Sequence, residues 1–277
     1  GMTTEGGTGG SGIFYQFTIT GSVFTKLTDF FNNPDGRAPV TGMLKAANAK
    51  LYGVTPYGGA NNAGVLYRVN PDSGSFVKIH DFALNTKPEG VLMQADNGKI
   101  YGMTMGGGSS GAGSLYSLDT STNIVSTIYN LQFGVSPRYP LGGLVQANNG
   151  LLYGMSRYGG ANNLGALFSY DISSTSFSTL VDFDGALKGE WPYDNLLKSS
   201  TGKLYGMTAY GGTNNDGVLF SFDPGTSSYS KIFDFSSTTT GRNPFGGLIQ
   251  ASDGKLYGMC AFGGANNGGV IFSLDTT

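Results

Sequence analysis

Apolar and polar positions follow one repeating text. Residues 203–223 read KLYGMTAYGGTNNDGVLFSFD: a short apolar run, a glycine- and asparagine-rich stretch, then a second apolar run. β-branched and aromatic residues alternate with small and polar ones, and no segment sustains a 3.6-residue apolar period. The pattern predicts strand, turn, strand. The same text returns at 50–70, 151–171 and 255–275, and in degenerate form at 99–119. Its marker tyrosines, Tyr52, Tyr101, Tyr153, Tyr205 and Tyr257, are spaced by 49, 52, 52 and 52 residues. A period of this length indicates stacked supersecondary units.

Each full repeat carries four expected strands. The first is PFGGLIQA (244–251), with counterparts at Pro140 and Pro88; the second and third flank the GGxNNxG stretch. The fourth is YSKIFDF (229–235), with counterparts at 23–30, 76–82 and 177–183. Tight hairpins such as Asn149-Gly150 and Asp253-Gly254 join the first two strands. The link from the fourth strand to the next repeat is long and variable. It always ends in proline (Pro39, Pro88, Pro140, Pro192, Pro244), each 13 residues before its marker tyrosine.

A four-stranded antiparallel meander followed by a long link is the unit of a β-propeller blade. The expected fold is therefore all-β: one propeller domain over residues 1–277, with roughly five and a third repeats of about 52 residues. Third strands number six and first strands five. Six blades use every strand and are preferred; five blades, closed by strand 23–30, are the alternative. Tyr153 and Tyr205 are expected to be buried between blades. Because strand directions alternate, the GGxNNxG turns and the long links fall on one face, the natural place for binding residues.

The layout resembles kelch-type propellers, in which a glycine pair ends the second strand. It is still more similar to the bacterial GloVer tandem repeat family, whose motif stands here as Leu51-Tyr52-Gly53-Val54 and Leu204-Tyr205-Gly206-Met207. The resemblance spans essentially the whole chain. It implies a propeller fold and an exported, extracellular or cell-surface protein, and says little about activity. The kelch fourth-strand tryptophan is absent, with Phe76, Phe177 or Tyr229 near its place, so kelch partners do not carry over. The opening Gly1-Met2-Thr3 aligns with Gly206-Met207-Thr208. It therefore reads as the middle of a repeat, from a longer array or a ring cut inside a repeat. No signal peptide is visible.

Composition narrows the function. Charged residues are 12% and the net charge is −2, with no basic stripe, which argues against nucleic acid as a partner. No apolar run approaches the roughly 20 residues of a membrane span. The single cysteine, Cys260, allows no internal disulfide, and it occupies a slot held elsewhere by Thr55, Thr104, Ser156 and Thr208, as a small buried side chain would. The lone histidine, His80, lies in a fourth strand and supplies neither a triad nor a metal cluster. No cofactor, metal site or catalytic residue is assigned, and the oligomeric state is left open.

Three groups of residues are binding candidates. Arg37, Arg138 and Arg242 share a slot two residues before the linker proline, and Glu190 takes it in another repeat. These arginines either bond the recurrent aspartates (Asp29, Asp81, Asp182, Asp234) and backbone carbonyls, or form a guanidinium ring facing a ligand. The aspartates themselves read as turn caps. The paired asparagines, Asn162-Asn163 and Asn214-Asn215 among them, suit turns of positive φ and are too poor in acid for calcium. The link 184–192 departs most from the pattern. It holds the only tryptophan, Trp191, beside Glu190 and Tyr193, with Arg138 and Tyr139 on the neighbouring link. Aligned positions carry Ala38, Lys87 and Asn243, so packing common to all repeats does not account for Trp191. Trp191 serves either as a hot spot and sugar-stacking platform or as a space-filling plug. The leading expectation is a non-enzymatic propeller that binds a carbohydrate or a protein on its long-loop face. The alternatives are a hydrolase or lyase with a central-channel site and a structural segment of a longer surface protein.

Overall fold

The alternating runs do form strands. A computed structural model, describing residues 1–134 and 136–275, holds 21 strands and no helix among those residues. Contacts group them into two units, Gly1–Asn130 and Leu131–Thr277.

In the first unit, β1 (Ile13–Thr18) and β2 (Val23–Asp29) form a two-stranded sheet. β3 (Leu44–Lys45), β4 (Leu51–Thr55), β5 (Val65–Val69) and β6 (Phe76–Asp81) form a four-stranded one. So do β7 (Pro88–Gln94), β8 (Ile100–Thr104), β9 (Ser114–Asp119) and β10 (Ile124–Asn130). In the second unit the four-stranded sheets are β11 (Val145–Gln146), β12 (Leu152–Ser156), β13 (Ala166–Tyr170), β14 (Phe177–Asp182), and β15 (Leu197–Lys198), β16 (Leu204–Thr208), β17 (Val218–Asp223), β18 (Ser228–Asp234). The last sheet has three strands, β19 (Ile249–Gln250), β20 (Leu256–Cys260) and β21 (Val270–Leu274). Every pairing is antiparallel between sequence neighbours, as hairpin-length connections dictate.

The second strand of each complete repeat is buried on both faces. In the second unit Tyr153 joins Leu167, Leu204, Phe220 and Phe222 in one cluster, so the β12 and β16 sheets pack face to face. Tyr205 joins Leu248 and Leu256 of the next sheet. Burying a side chain of this size stabilises by about 1.5–3 kcal/mol. The motif glycine after the tyrosine makes the packing possible: a Cβ at Gly206 would stand 2.6 Å from the Phe220 ring and 3.0 Å from Leu196. Four marker hydroxyls are tied to their own hairpins: Asn48 donates to Tyr52 at 2.9 Å, Asn97 to Tyr101 at 2.8 Å and Asn149 to Tyr153 at 2.8 Å, and Tyr257 donates to Asp253 at 2.8 Å. Cys260 is buried like its counterparts, and burial pushes its thiol up to about 12.

Four of the five first strands are shorter than the sequence suggests, β7 (Pro88–Gln94) alone keeping nearly its expected length. The expected strand 244–251 contributes only Ile249–Gln250 to a ladder. The reason is visible at Gly142-Gly143. The first glycine backs onto the Asp194 main chain, where a Cβ would lie 2.6 Å from the carbonyl oxygen, and the Gly143 N–H is taken by the Asn195 side chain. This segment bonds sideways to the next repeat instead of to its own hairpin partner.

The linker proline also has a physical reason. Each third strand is preceded by a glycine of positive φ, such as Gly64 and Gly217. A Cβ there would collide with a second-strand carbonyl and stand 2.9 Å from Cδ of the next linker proline, Pro88 or Pro244. The proline of one repeat therefore seats on the glycine of the repeat before it.

Candidate functional site

The loops are built first from backbone. In the GGxNNxG turn the second asparagine adopts positive φ, 58° at both Asn163 and Asn215, and its side-chain oxygen accepts the N–H of Gly159 (3.1 Å) or Gly211 (3.0 Å). The first asparagine donates to the end of the fourth strand, Asn162 to Phe183 O at 3.0 Å and Asn214 to Phe235 O at 2.9 Å. The recurrent aspartate closes the same turn from the other side: Ala161 N–H donates to Asp182 at 2.9 Å and Thr213 N–H to Asp234 at 3.2 Å. The capping role expected of the aspartates is met, across 21 residues of sequence rather than locally. The asparagine side chains reach the surface with their hydrogen-bonding groups engaged inside the loop.

The expected arginine–aspartate bond does not form; none of the five ion pairs among the described residues involves an arginine. A bulge in the fourth strand explains why. In β6 the register skips Ile79 between Lys78 and His80, which puts Lys78 and Asp81 on one face, 2.7 Å apart. Lys26–Asp29 and Lys231–Asp234 repeat the arrangement, each at 2.8 Å. The arginines ride instead on rings. Arg37 lies 5.4 Å over Tyr57 and Arg242 5.5 Å over Phe262, each ring belonging to the residue that pairs with that arginine's backbone. His80, lining a cavity with Thr104, Ser114 and Tyr116, stands edge-on to Phe82, and burial lowers its pKa.

Links and GGxNNxG turns are joined, as strand direction requires. Glu190 bridges Tyr210 and Arg138 bridges Tyr158 by backbone, and Gly212 N–H donates to Gly185 O at 2.7 Å. The residue before the linker proline is held in left-handed conformation in all five repeats: Ala38 (φ 54°), Lys87 (52°), Tyr139 (53°), Trp191 (54°) and Asn243 (55°). At Trp191 the N–H donates to Leu164 O of the preceding repeat (2.9 Å), and its carbonyl accepts from Ala209 N–H (3.1 Å). These two bonds hold a backbone geometry that costs a non-glycine residue about 1–3 kcal/mol.

Around Trp191 the second unit gathers partly exposed rings. The indole meets Tyr158 at 5.7 Å and Tyr210 at 5.4 Å, both edge-to-face. Tyr158 continues to Tyr139 (6.1 Å), and Tyr210 to Phe245 (6.4 Å), which meets Tyr193 at 5.0 Å. Arg157 lies among them, its Cζ 4.9 Å from the Tyr158 centroid, 5.4 Å from Trp191 and 4.6 Å from Tyr193. Arg138 lies 5.5 Å over Phe133 and donates to Asn163 at 2.6 Å. The Nε atoms of Arg138, Arg157 and Arg242 and the Trp191 Nε1 are buried with no hydrogen-bond partner. Burial raises the Glu190 carboxyl. Burial also raises Asp194, with N–H groups of Asn195 and Gly247 pulling it partly back.

Of the residues singled out from sequence, Trp191, Tyr193 and Tyr139 lie in one chain of ring contacts, with Arg138 bridged by backbone to Tyr158 and Glu190 to Tyr210. Arg37 and Arg242 lie over other rings, each in its own repeat. Arg157, Tyr158, Tyr210, Phe245 and Asp194 were not anticipated. Arg157 had a signal: its slot carries Pro56, Met105, Ala209 and Ala261 elsewhere, so one repeat alone places a charge there. Asp194 likewise replaces a glycine found at Gly90, Gly142 and Gly246. Among the described residues no group of three or more His, Cys, Asp or Glu side chains is placed to hold a metal ion.

A family model, the Gloeobacter/Verrucomicrobia repeat, matches residues 1–149 and 87–277. No curated protein matches the chain. Among solved structures it is similar to TolB from Acinetobacter baumannii, at 15% identity and a TM-score of 0.57, over 96% of this chain and 57% of that one. This chain thus spans little more than half the TolB chain. It is also similar to an oligogalacturonate lyase in complex with manganese (13% identity, TM-score 0.61, 96% of this chain and 68% of that one). A nidogen/laminin complex gives 11% identity and a TM-score of 0.55, over 85% of this chain and 75% of that one. At such identities the likeness is one of fold: all-β, of propeller type.

Proposed function

The chain belongs to the Gloeobacter/Verrucomicrobia repeat family, and from there we propose that it is a non-enzymatic, exported propeller that binds a carbohydrate on the loops of its second unit. The observation that carries this reading is the run of partly exposed rings from Tyr139 through Tyr158, Trp191 and Tyr210 to Phe245 and Tyr193. Rings fixed by backbone bridges and by one another are a low-entropy surface for stacking sugars. Export rests on the family resemblance. No helix among the described residues is long and apolar enough to cross a membrane.

The test is a glycan array probed with the native protein and with Trp191→Ala. Ala38 adopts the same backbone conformation at the equivalent position, so the substitution suits the local geometry. The expected result is a loss of at least about tenfold in affinity for any glycan retained, with the melting temperature lowered by no more than about 3 °C. Unchanged binding with a fall of about 10 °C would make Trp191 a space-filling plug and place the site elsewhere.

A second reading, a hydrolase or lyase, is favoured by Asp194, a carboxyl raised by burial just before β15, where three other repeats carry glycine. Turnover of a glycan by the native protein, abolished in Asp194→Asn, would establish it.

A further inference from the structure

Arg157 is a cation without a counterion. Its guanidinium is held against Tyr158, Trp191 and Tyr193, its Nε is buried without a partner, and among the described residues it enters no ion pair. Two other arginines do spend their donors inside the protein, Arg68 on Asn123 at 3.2 Å and Arg138 on Asn163 at 2.6 Å. Among the described residues the Arg157 guanidinium makes no hydrogen bond to protein; only its backbone N–H does, to Tyr139 O at 3.3 Å.

The two acids that flank Trp191, Glu190 and Asp194, do not use its charge. Burial is the one influence on Glu190, and it raises that carboxyl. Asp194 is raised by burial first, offset by backbone N–H groups rather than by a guanidinium. Nor does the repeat need a cation here, since Pro56, Met105, Ala209 and Ala261 fill the slot without one. Partial burial of an unpaired charge is costly, and ring contact returns only part of that cost. A guanidinium whose plane is fixed by rings and whose terminal donors are unspent is suited to a two-pronged bond with a planar or tetrahedral oxyanion. The whole chain carries a net charge of −2, so attraction for an anion would be local to this cluster.

We infer that the carbohydrate bound on these loops is an acidic one, and that Arg157 receives its oxyanion, a sugar carboxylate or a sulfate ester. This inference rests on the carbohydrate reading above and adds the charge of the ligand to it. The rings supply stacking common to all sugars, and Arg157 supplies the discrimination.

The experiment uses oligosaccharides of matched backbone in three forms: neutral, carboxylated at C6 and sulfated at C6. Native protein should bind an acidic form at least about thirtyfold more tightly than the neutral one, with affinity falling as salt rises. The carboxylated and sulfated arms identify the oxyanion. Arg157→Met should abolish the preference, so that acidic and neutral forms bind with equal affinity, and Arg157→Lys should restore part of it. Equal binding of neutral and acidic forms by native protein overturns the inference and leaves the carbohydrate reading standing. A preference that survives in Arg157→Met also overturns it. Retention of a protein and of no glycan defeats both. The matched-form comparison on native protein decides the matter even where the variants fold poorly.

Discussion

The loop regions of the two units share one backbone and carry different side chains. In the first unit the left-handed position before the linker proline holds Ala38 or Lys87, and the slot at the end of the second strand holds Pro56 or Met105. Lys87 is satisfied locally, by an ion pair to Glu89 at 2.9 Å and by the Tyr57 ring at 5.0 Å. In the second unit the same positions hold Trp191 and Arg157, and neither finds a hydrogen-bond partner for its buried nitrogen. Among the described residues four buried nitrogens lack a partner. Those of Arg138 and Arg242 lie in the recurrent arginine slot; those of Trp191 and Arg157 lie where the text of the repeat changes, and that second pair is the basis for placing the site there.

The largest effect should be the one the two units share. Tyr52→Ala in the first unit and Tyr153→Ala in the second each remove a fully buried ring and should each cost about 3–5 kcal/mol in denaturant unfolding. A loss under about 1 kcal/mol in either would mean that the packing is not common to both.

Next come the loop caps. Asp81→Ala and Asp234→Ala each leave a turn N–H unpaired and should cost about 1–2 kcal/mol at neutral pH. Burial alone would raise these carboxyls, but bonds from Lys78 and Ala60, and from Lys231 and Thr213, outweigh it and hold both below the ordinary range. A carboxyl lowered in the folded state stabilises above its unfolded value, about 4, and that contribution fades as pH falls through the lower folded value. Asp81→Asn preserves the cap, since Asn130 already accepts Ser109 N–H at 3.1 Å in that position. Its stability should therefore approach that of the native protein as pH falls from 4 toward about 2; a gap that widens instead would refute the assignment.

A smaller gain is expected at Thr201. It stands where Asn48, Asn97 and Asn149 hold their tyrosines, and among the described residues the Tyr205 hydroxyl has no hydrogen-bond partner. Thr201→Asn should stabilise by about 0.5–1 kcal/mol, read as a rise in denaturant midpoint. The smallest effect belongs to Ala38→Trp, which copies the tryptophan into the first unit without Arg157. It should change stability by less than about 0.5 kcal/mol and create no second glycan site in a binding titration. A second site would show that the tryptophan alone suffices.

Much of the fold was legible because it is written several times. A period of about 52 residues, tight hairpin signals and alternation specify sheets that no single strand would secure. The two-residue first strands were not legible. Their loss follows from sideways bonds such as that between Gly143 and Asn195, which are contacts between repeats and leave no local pattern. The arginine slot was seen and its partner misjudged, because the bulge that pairs Lys78 with Asp81 is a register event invisible in composition. Trp191 was found by its singularity. Arg157, equally singular, is not legible as a site residue, because charge at a strand end looks like ordinary surface until the rings around it are placed.

The left-handed residue before each linker proline has a consequence for how this family diversifies. Glycine would meet that backbone with least strain, yet the five repeats carry alanine, lysine, tyrosine, tryptophan and asparagine there. The main-chain bonds on either side, as at Trp191, fix the geometry whatever the side chain. At the four partly exposed positions substitution is thereby uncoupled from folding: a mutation changes what is displayed and leaves the frame unaltered, whereas Asn243 is buried and its side chain donates to Ala209 O at 3.0 Å. Such positions can be randomised together, and their tolerated alphabets, read by deep sequencing with and without selection for binding, would separate the repeats that only build the frame from those that meet a ligand.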